Sequence, residues 1–211
     1  MDVPASQAAL FDSPQLPHGL AYRAEFLTAC EETSLLASFG VLAFREATFQ
    51  QYLARRRVVR FGLDYDAEHE RWLPGEPLPP FLETMQAKVA QWVDVAPDAF
   101  VQALVSEYRP GTPIGWHRDS AEYGFVVGVS LNAPCRMRFR PLEAPPGRQQ
   151  AVAIDLAPRS SYVMQGPIRW GWQHSIPPTK ALRYSITFRT RADDVRAPGP
   201  RFGGDTAPRA P

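Results

Sequence analysis

The sequence predicts a mostly β protein, an antiparallel sandwich or barrel, with its helices confined to the N-terminal half. Short extended runs recur from residue 101 onward, at 101–108, 125–131, 135–139, 150–156, 160–165 and 181–189. Pro- and Gly-rich turns separate them. Helical spacing is found only before residue 100. Strands packed this densely, without helices between them, fit tight antiparallel turns better than parallel crossovers.

The elements follow in order. Residues 1–19 are mixed and turn-rich and read as an irregular arm. Leu20 to Phe26 reads as extended. Thr28 with Glu31 three residues on matches a capping box, which starts a short helix through Leu35 and Leu36. A second helix opens after Pro79, with Pro80 tolerated in its first turn. Leu82, Met85, Val89 and Trp92 then recur at helical spacing, a stripe that reads as core packing. Residues 191–211 carry Pro198, Pro200, Pro208, Pro211, Gly199, Gly203 and Gly204 with few large apolar groups. They read as a flexible tail, because so little burial cannot offset ordering.

At 211 residues and 45% hydrophobic composition the chain suits one domain with a substantial core. A formal net charge of +1 neither predicts nor excludes a nucleic-acid partner, so any such contact requires a local basic patch. Cys30 and Cys135 lack metal-site spacing and read as buried free thiols in a reducing compartment. No segment combines a basic start with an apolar core, and no apolar run is long enough for a membrane span. The expectation is a soluble, cytoplasmic monomer.

Chemistry concentrates in two places. His117 and Asp119, in Gly115-Trp116-His117-Arg118-Asp119, are two apart, so on an extended chain their side chains leave one face. A distant His174 would complete two histidines and one carboxylate, the facial donor set of non-haem Fe(II) oxygenases. Taken singly, these residues equally describe a surface histidine, a hydrogen-bonded aspartate and a core histidine. The second place is Arg183-Tyr184-Ser185-Ile186-Thr187-Phe188-Arg189. On a period of two, Arg183, Ser185, Thr187 and Arg189 share one face. Two guanidinium groups inside a small barrel need anions to meet them, and a dicarboxylate would supply both. The alternative turns that face to solvent. No credible hydrolytic triad is present.

These segments, with Tyr108-Arg109-Pro110-Gly111 and Ile114-Gly115, resemble the AlkB family of Fe(II)- and 2-oxoglutarate-dependent dioxygenases. The resemblance is good over residues 101–189 and weaker before them. It implies a double-stranded β-helix, or jelly roll, with N-terminal helices and a substrate lid. The domain so expected spans 20–190, with 20–100 as lid and outer scaffold and 101–190 as catalytic core. It implies Fe(II) on His117, Asp119 and His174. Tyr108 and Arg183 match residues holding the distal carboxylate of 2-oxoglutarate, and Arg189 matches the arginine near the keto-acid end. Ser185 and Ser106 stand where relatives often carry asparagine, which shortens the reach of a hydrogen bond. The implied reaction consumes O2 and converts 2-oxoglutarate to succinate and CO2 while a substrate C–H bond is hydroxylated. An N-methyl group so oxidised leaves as formaldehyde.

The substrate is less legible. Nucleic-acid repair members often carry an acid two positions beyond the metal aspartate, where this chain has Ala121 with Glu122 beside it. Arg55, Arg56, Arg57 and Arg60 fall in the expected lid and could hold phosphates, or they could be solvated surface. Phe61, Tyr65 and Trp72 could stack on bases or pack the lid. Trp116 reads as core, and Tyr123 and Phe125 have no assigned place. The leading expectation is oxidative demethylation of N-alkylated bases in DNA or RNA. The alternatives are the same chemistry on a protein side chain or small molecule, and a non-catalytic binding module.

Overall fold

The computed structural model describes residues 16–49, 52–143 and 151–195. Most of the expected arm and tail, 1–15 and 196–211, lies outside the described residues. β1 (Leu20–Arg23) is shorter than its extended run, because Glu25 turns into the left-handed region at φ +48°. α1 (Ala29–Ser38) starts where the capping box sets it: the Thr28 hydroxyl accepts from the Glu31 amide at 3.2 Å, and the Glu31 carboxylate accepts from the Thr28 amide at 2.7 Å. Those two bonds satisfy two of the amides a helix start leaves open. After β2 (Arg45–Phe49), β3 (Tyr52–Asp66) and β4 (Arg71–Pro74) comes α2 (Pro80–Val93), with Leu82, Met85 and Val89 fully inside. Trp92 is half-buried against Phe26, its ring 5.4 Å away.

Eight further strands complete the chain: β5 (Phe100–Tyr108), β6 (Ile114–His117), β7 (Tyr123–Leu131), β8 (Cys135–Pro141), β9 (Val152–Leu156), β10 (Ser161–Met164), β11 (Trp172–Ile176) and β12 (Arg183–Arg191). One helical turn, α3 (Gly166–Gly171), interrupts them. They form two antiparallel sheets. The larger has the order β1-β10-β7-β12-β5-β3-β2 with β4 on β3; the smaller is β6-β11-β8-β9. The alternation of β5 to β12 between two facing sheets is the jelly roll. The expected lid segment is therefore partly a continuation of the larger sheet, since β3 pairs directly with β5 from Arg57↔Glu107 to Gly62↔Gln102.

The large sheet is covered on both faces. Ala103, Val105, Val127, Val129, Ile186 and Phe188 face α1 and α2 in one apolar cluster. Val126, Tyr162 and Met164 face the small sheet, where Met137, Phe139 and Ile176 complete a second. This double coverage explains why β7 is apolar along its whole length instead of alternating. Gly128 lies on the inner face, where a Cβ would meet the Tyr162 ring at 2.3 Å. Only glycine there lets that ring lie across β7.

The structure corrects two expectations and decides one open alternative. Cys30 is exposed, not buried, because it sits on the outer side of α1; Cys135 is half-buried, and both thiols are free. Trp116 is not core: it is half-buried on the outer face of the small sheet, opposite its neighbour His117. The polar face of β12 does not turn to solvent, since Arg183 is only 1% exposed.

Candidate metal centre and co-substrate pocket

His117 on β6 and His174 on β11 are direct cross-strand partners, which sets their rings 4.2 Å apart. Asp119 lies two residues past the end of β6, so strand pleat alone does not aim it. Arg169 on α3 does: its guanidinium donates to the carbonyls of Asp119 (3.3 Å), Ser120 (2.6 Å), Tyr123 (2.7 Å) and Gly124 (2.7 Å). One buried cation thus gathers the loop that carries the carboxylate. Ligand atoms from His117, Asp119 and His174 all lie within 4.8 Å of one another and could hold a metal ion.

The protonation states suit metal binding. His117 Nδ1 lies 3.0 Å from the Gly115 carbonyl oxygen. A carbonyl can only accept, so Nδ1 carries the proton and Nε2 keeps its lone pair. Burial lowers the pKa of both histidines, against the opposing pull of Asp119, and His174 falls to about 3. Both imidazoles are therefore neutral near pH 7. Burial works against ionising Asp119, but Arg189, His174 and His117 outweigh it and hold the carboxyl well below the usual range. Arg189 Nη2 donates to Asp119 Oδ1 at 3.0 Å, while Oδ2 faces His174 at 3.8 Å. One carboxylate oxygen is thus occupied and the other is turned to the centre. Two neutral imidazoles and one carboxylate oxygen are the donor set that suits non-haem Fe(II).

The interior face of the large sheet adds a cationic pocket. Arg183 lies over the Tyr108 ring at 4.8 Å, and its Nε and Nη2 reach only the Ser130 hydroxyl, at 3.3 and 3.2 Å. Its Nη1 is buried with no hydrogen-bond partner, and among the described residues no carboxylate pairs with it. A lone buried guanidinium is costly unless an anion joins it. Tyr108 registers the same excess of positive charge. Full burial would raise its phenol pKa, yet Arg56 and Arg183 bring it below the ordinary value. Ser185 completes the group, its hydroxyl 3.5 Å from the Tyr108 oxygen. These residues fit the distal carboxylate of 2-oxoglutarate. Arg189 lies between this pocket and Asp119, with Nη1 on Gln102 at 2.7 Å and Nε unpartnered.

The expected substrate residues separate. Arg57 faces away from the pocket and makes a two-point bond with Glu107, both contacts 2.8 Å, so it ties β3 to β5. Arg56 lies close enough to Tyr108 for its charge to lower the phenol pKa, and so sides with the cationic pocket. Arg55 and Arg60 are exposed, with Arg60 3.8 Å from Asp64. Phe61 is core. Tyr65 meets Trp72 edge-on at 5.2 Å, and Trp72 meets Tyr123 at 5.3 Å, so these rings pack the β3–β4 hairpin onto the barrel. Glu122 accepts from Ser120 at the rim. Phe125 packs in the helix-side core.

Three contributors were not anticipated: Gln102, Ser130 and Arg169. Gln102 was visible in principle, since it lies on the face of β5 shared with Ser106 and Tyr108. Arg169 carries no sequence signal, because its partners are backbone carbonyls.

Comparison with known proteins agrees with this geometry. The profile of the 2OG-Fe(II) oxygenase superfamily matches residues 24–189. The chain is 31% identical over 127 residues to an uncharacterised protein, L905, of Acanthamoeba polyphaga mimivirus, covering 53% of this chain and 58% of that one. It is 30% identical over 177 residues to the mouse tRNA (carboxymethyluridine(34)-5-O)-methyltransferase ALKBH8. That match covers 78% of this chain but 25% of ALKBH8, so the chain spans about a quarter of that relative. The solved structure of OsALKBH1 superimposes with a TM-score of 0.65 at 14% identity, covering 83% of this chain and 98% of the other, a likeness of fold. Among the described residues no helix is long and apolar enough to cross a membrane. A profile match over most of the chain makes this protein a member of the 2OG-Fe(II) oxygenase superfamily, whose cofactors are Fe(II) and 2-oxoglutarate.

Proposed function

We propose that the protein oxidises an alkyl C–H bond on a modified base of DNA or RNA, with N-demethylation as the principal reaction. His117, Asp119 and His174 hold the iron in this reading. Arg183, Tyr108 and Ser185 bind the distal carboxylate of 2-oxoglutarate, and Arg189 fixes Asp119 beside the keto-acid end. O2 is the oxidant, and bound iron with 2-oxoglutarate would supply its activation: one oxygen atom would go to the succinate formed together with CO2 and the other to the substrate C–H bond. The chain's own work is to orient and to exclude water. Phe139, 6.3 Å from the His174 ring, and the buried walls of the inner cluster serve the second purpose.

The observation that carries the oxygenase assignment to these residues is the unpartnered Arg183 guanidinium in the same barrel as the triad. The nucleic-acid substrate rests on two supports. The mouse relative is named for action on tRNA. Arg55 and Arg60 are also exposed cationic side chains on β3, the strand that pairs with β5. The test is succinate and formaldehyde formation with Fe(II), O2 and 2-oxoglutarate, with and without methylated DNA and RNA oligonucleotides. Formaldehyde that requires an oligonucleotide and vanishes in Asp119→Ala is the expected result. Succinate that no oligonucleotide stimulates, but that Asp119→Ala abolishes, would move the substrate to a protein side chain or small molecule.

A further inference from the structure

The small sheet has an outer face whose composition does not suit a mere backing. Alternation turns Phe139 and His174 inward, and so turns Arg136, Arg138 and Arg140 of β8 outward with Gln173 and Ser175 of β11. Trp116, on edge strand β6, lies among them: the Arg138 guanidinium is 5.1 Å from its ring and that of Arg140 is 4.5 Å away. Arg138 Nε donates to the Ser175 hydroxyl at 3.1 Å, and Arg140 donates twice to Gln173 Oε1, at 2.9 and 2.7 Å.

These partners are neutral. They fix the two guanidinium planes without cancelling their charge. The acid that the sheet register sets on this face is Asp155, which lies 3.6 Å from Arg136 at the far side. Among the described residues no carboxylate pairs with Arg138, Arg140 or Arg118. Arg118 is exposed between the two N-terminal ligands, its Nη1 on the Trp170 carbonyl at 2.9 Å. It continues the positive track around β6, from the outer face toward the metal centre. In a chain of net charge +1 this is a local excess, not a reflection of overall basicity.

We infer that this face binds the backbone of a nucleic-acid strand as it leaves the metal centre, with Arg118, Arg138 and Arg140 meeting successive phosphates. The inference rests on the nucleic-acid reading above and adds where the rest of the strand lies. Planar guanidinium groups match phosphate geometry, and Trp116 holds two of them ready for it. Residues two apart on one strand face repeat every ~6.6 Å, a spacing that suits consecutive charges on an extended single strand. Contacts of this kind position a strand without reading its sequence.

The test measures binding of labelled methylated RNA, and of methylated single-stranded DNA of the same sequence, to the iron- and 2-oxoglutarate-loaded protein, by anisotropy across a salt series. Two lengths are compared, about 4 and about 16 nucleotides, so that only the longer can reach past the pocket. In Arg138→Gln/Arg140→Gln a donor is kept for Ser175 and Gln173. That variant should bind the long strand about 10-fold or more weakly, with the salt slope reduced by about 2. Binding of the short strand and succinate formation without substrate should not change. Ala153→Glu provides a second variant, because Ala153 pairs with Arg138 across the sheet. It leaves both arginines in place and should lower the slope by about 1. An unchanged slope, or an equal loss for both lengths, would overturn the surface while leaving the nucleic-acid reading intact. If the unaltered protein binds neither length in a salt-dependent way, it is the nucleic-acid reading itself that fails.

Discussion

The two faces of β12 carry opposite chemistries one residue apart. Ile186 and Phe188 point toward the helices and are wholly buried among apolar neighbours. Arg183, Ser185 and Thr187 point into the barrel, buried but polar, and Arg189 shares their face half-buried. The first face lowers the free energy of the fold by about 2 kcal/mol or more for each large side chain removed from water. The second works against the fold, since a buried guanidinium without an anion costs stability. A single strand thus separates what holds the protein together from what it is for, by nothing more than the alternation of side chains.

The comparison breaks most visibly on the helix side. Phe188→Ala should destabilise the protein by about 3–5 kcal/mol, seen as a lowered urea midpoint, because the helix-backed core cannot collapse into the space left. The interior face should respond in the opposite sense. Arg183→Met should raise the KM for 2-oxoglutarate by about 10- to 100-fold, the worth of a lost charge-assisted bond. Its thermal midpoint without 2-oxoglutarate should stay level or rise, because an uncompensated buried charge has gone. A midpoint that fell as far as in Phe188→Ala would show that the two faces do not divide the labour.

Gly128→Ala sharpens the boundary, since its Cβ would enter the space of the Tyr162 ring. A loss of about 1–3 kcal/mol in chemical denaturation is expected, from displacement of that ring. The smallest effect lies far from the barrel, where Glu31 joins α1 to Lys88 of α2. The bond with Lys88, together with the capping bonds from Thr28, lowers the Glu31 pKa from 4.5 to about 2. Between those values the unfolded chain binds more protons, so this contribution is complete above pH 4.5 and is lost as pH falls toward 2. With 39% of the side chain exposed, screening leaves ~0.5 kcal/mol. Glu31→Gln should therefore cost about that much at pH 7 and flatten the acid limb of a stability profile.

How much of this was readable in advance depended on the range of the interaction. The capping box at Thr28 and the apolar stripe of α2 were legible because they are settled within a few residues. Strand density after residue 101 was legible for the same reason. The short strands β6 and β11 were less so: each carries a candidate ligand, but neither is long enough to establish its own period. The basic run at 55–60 shows the opposite failure. Read as one patch, it divides in the fold, because alternation along β3 sends Arg57 to Glu107 and Arg56 to Tyr108 on opposite faces.

The sequence by itself determined the composition of the site. It holds two histidines and an aspartate as potential ligands, two arginines of one strand-face period, and the glycine and proline punctuation that makes antiparallel strands. Those are properties of residue type and near spacing, which survive without a fold. Only the tertiary structure decided that the arginine face is the inner one, that Arg183 is left without a partner, and that Arg169 aims the aspartate loop. It also decided that Trp116 looks outward between two guanidinium groups. Each of these depends on which strand lies beside which, and that is fixed by burial summed over the whole sheet, not by any local run of residues.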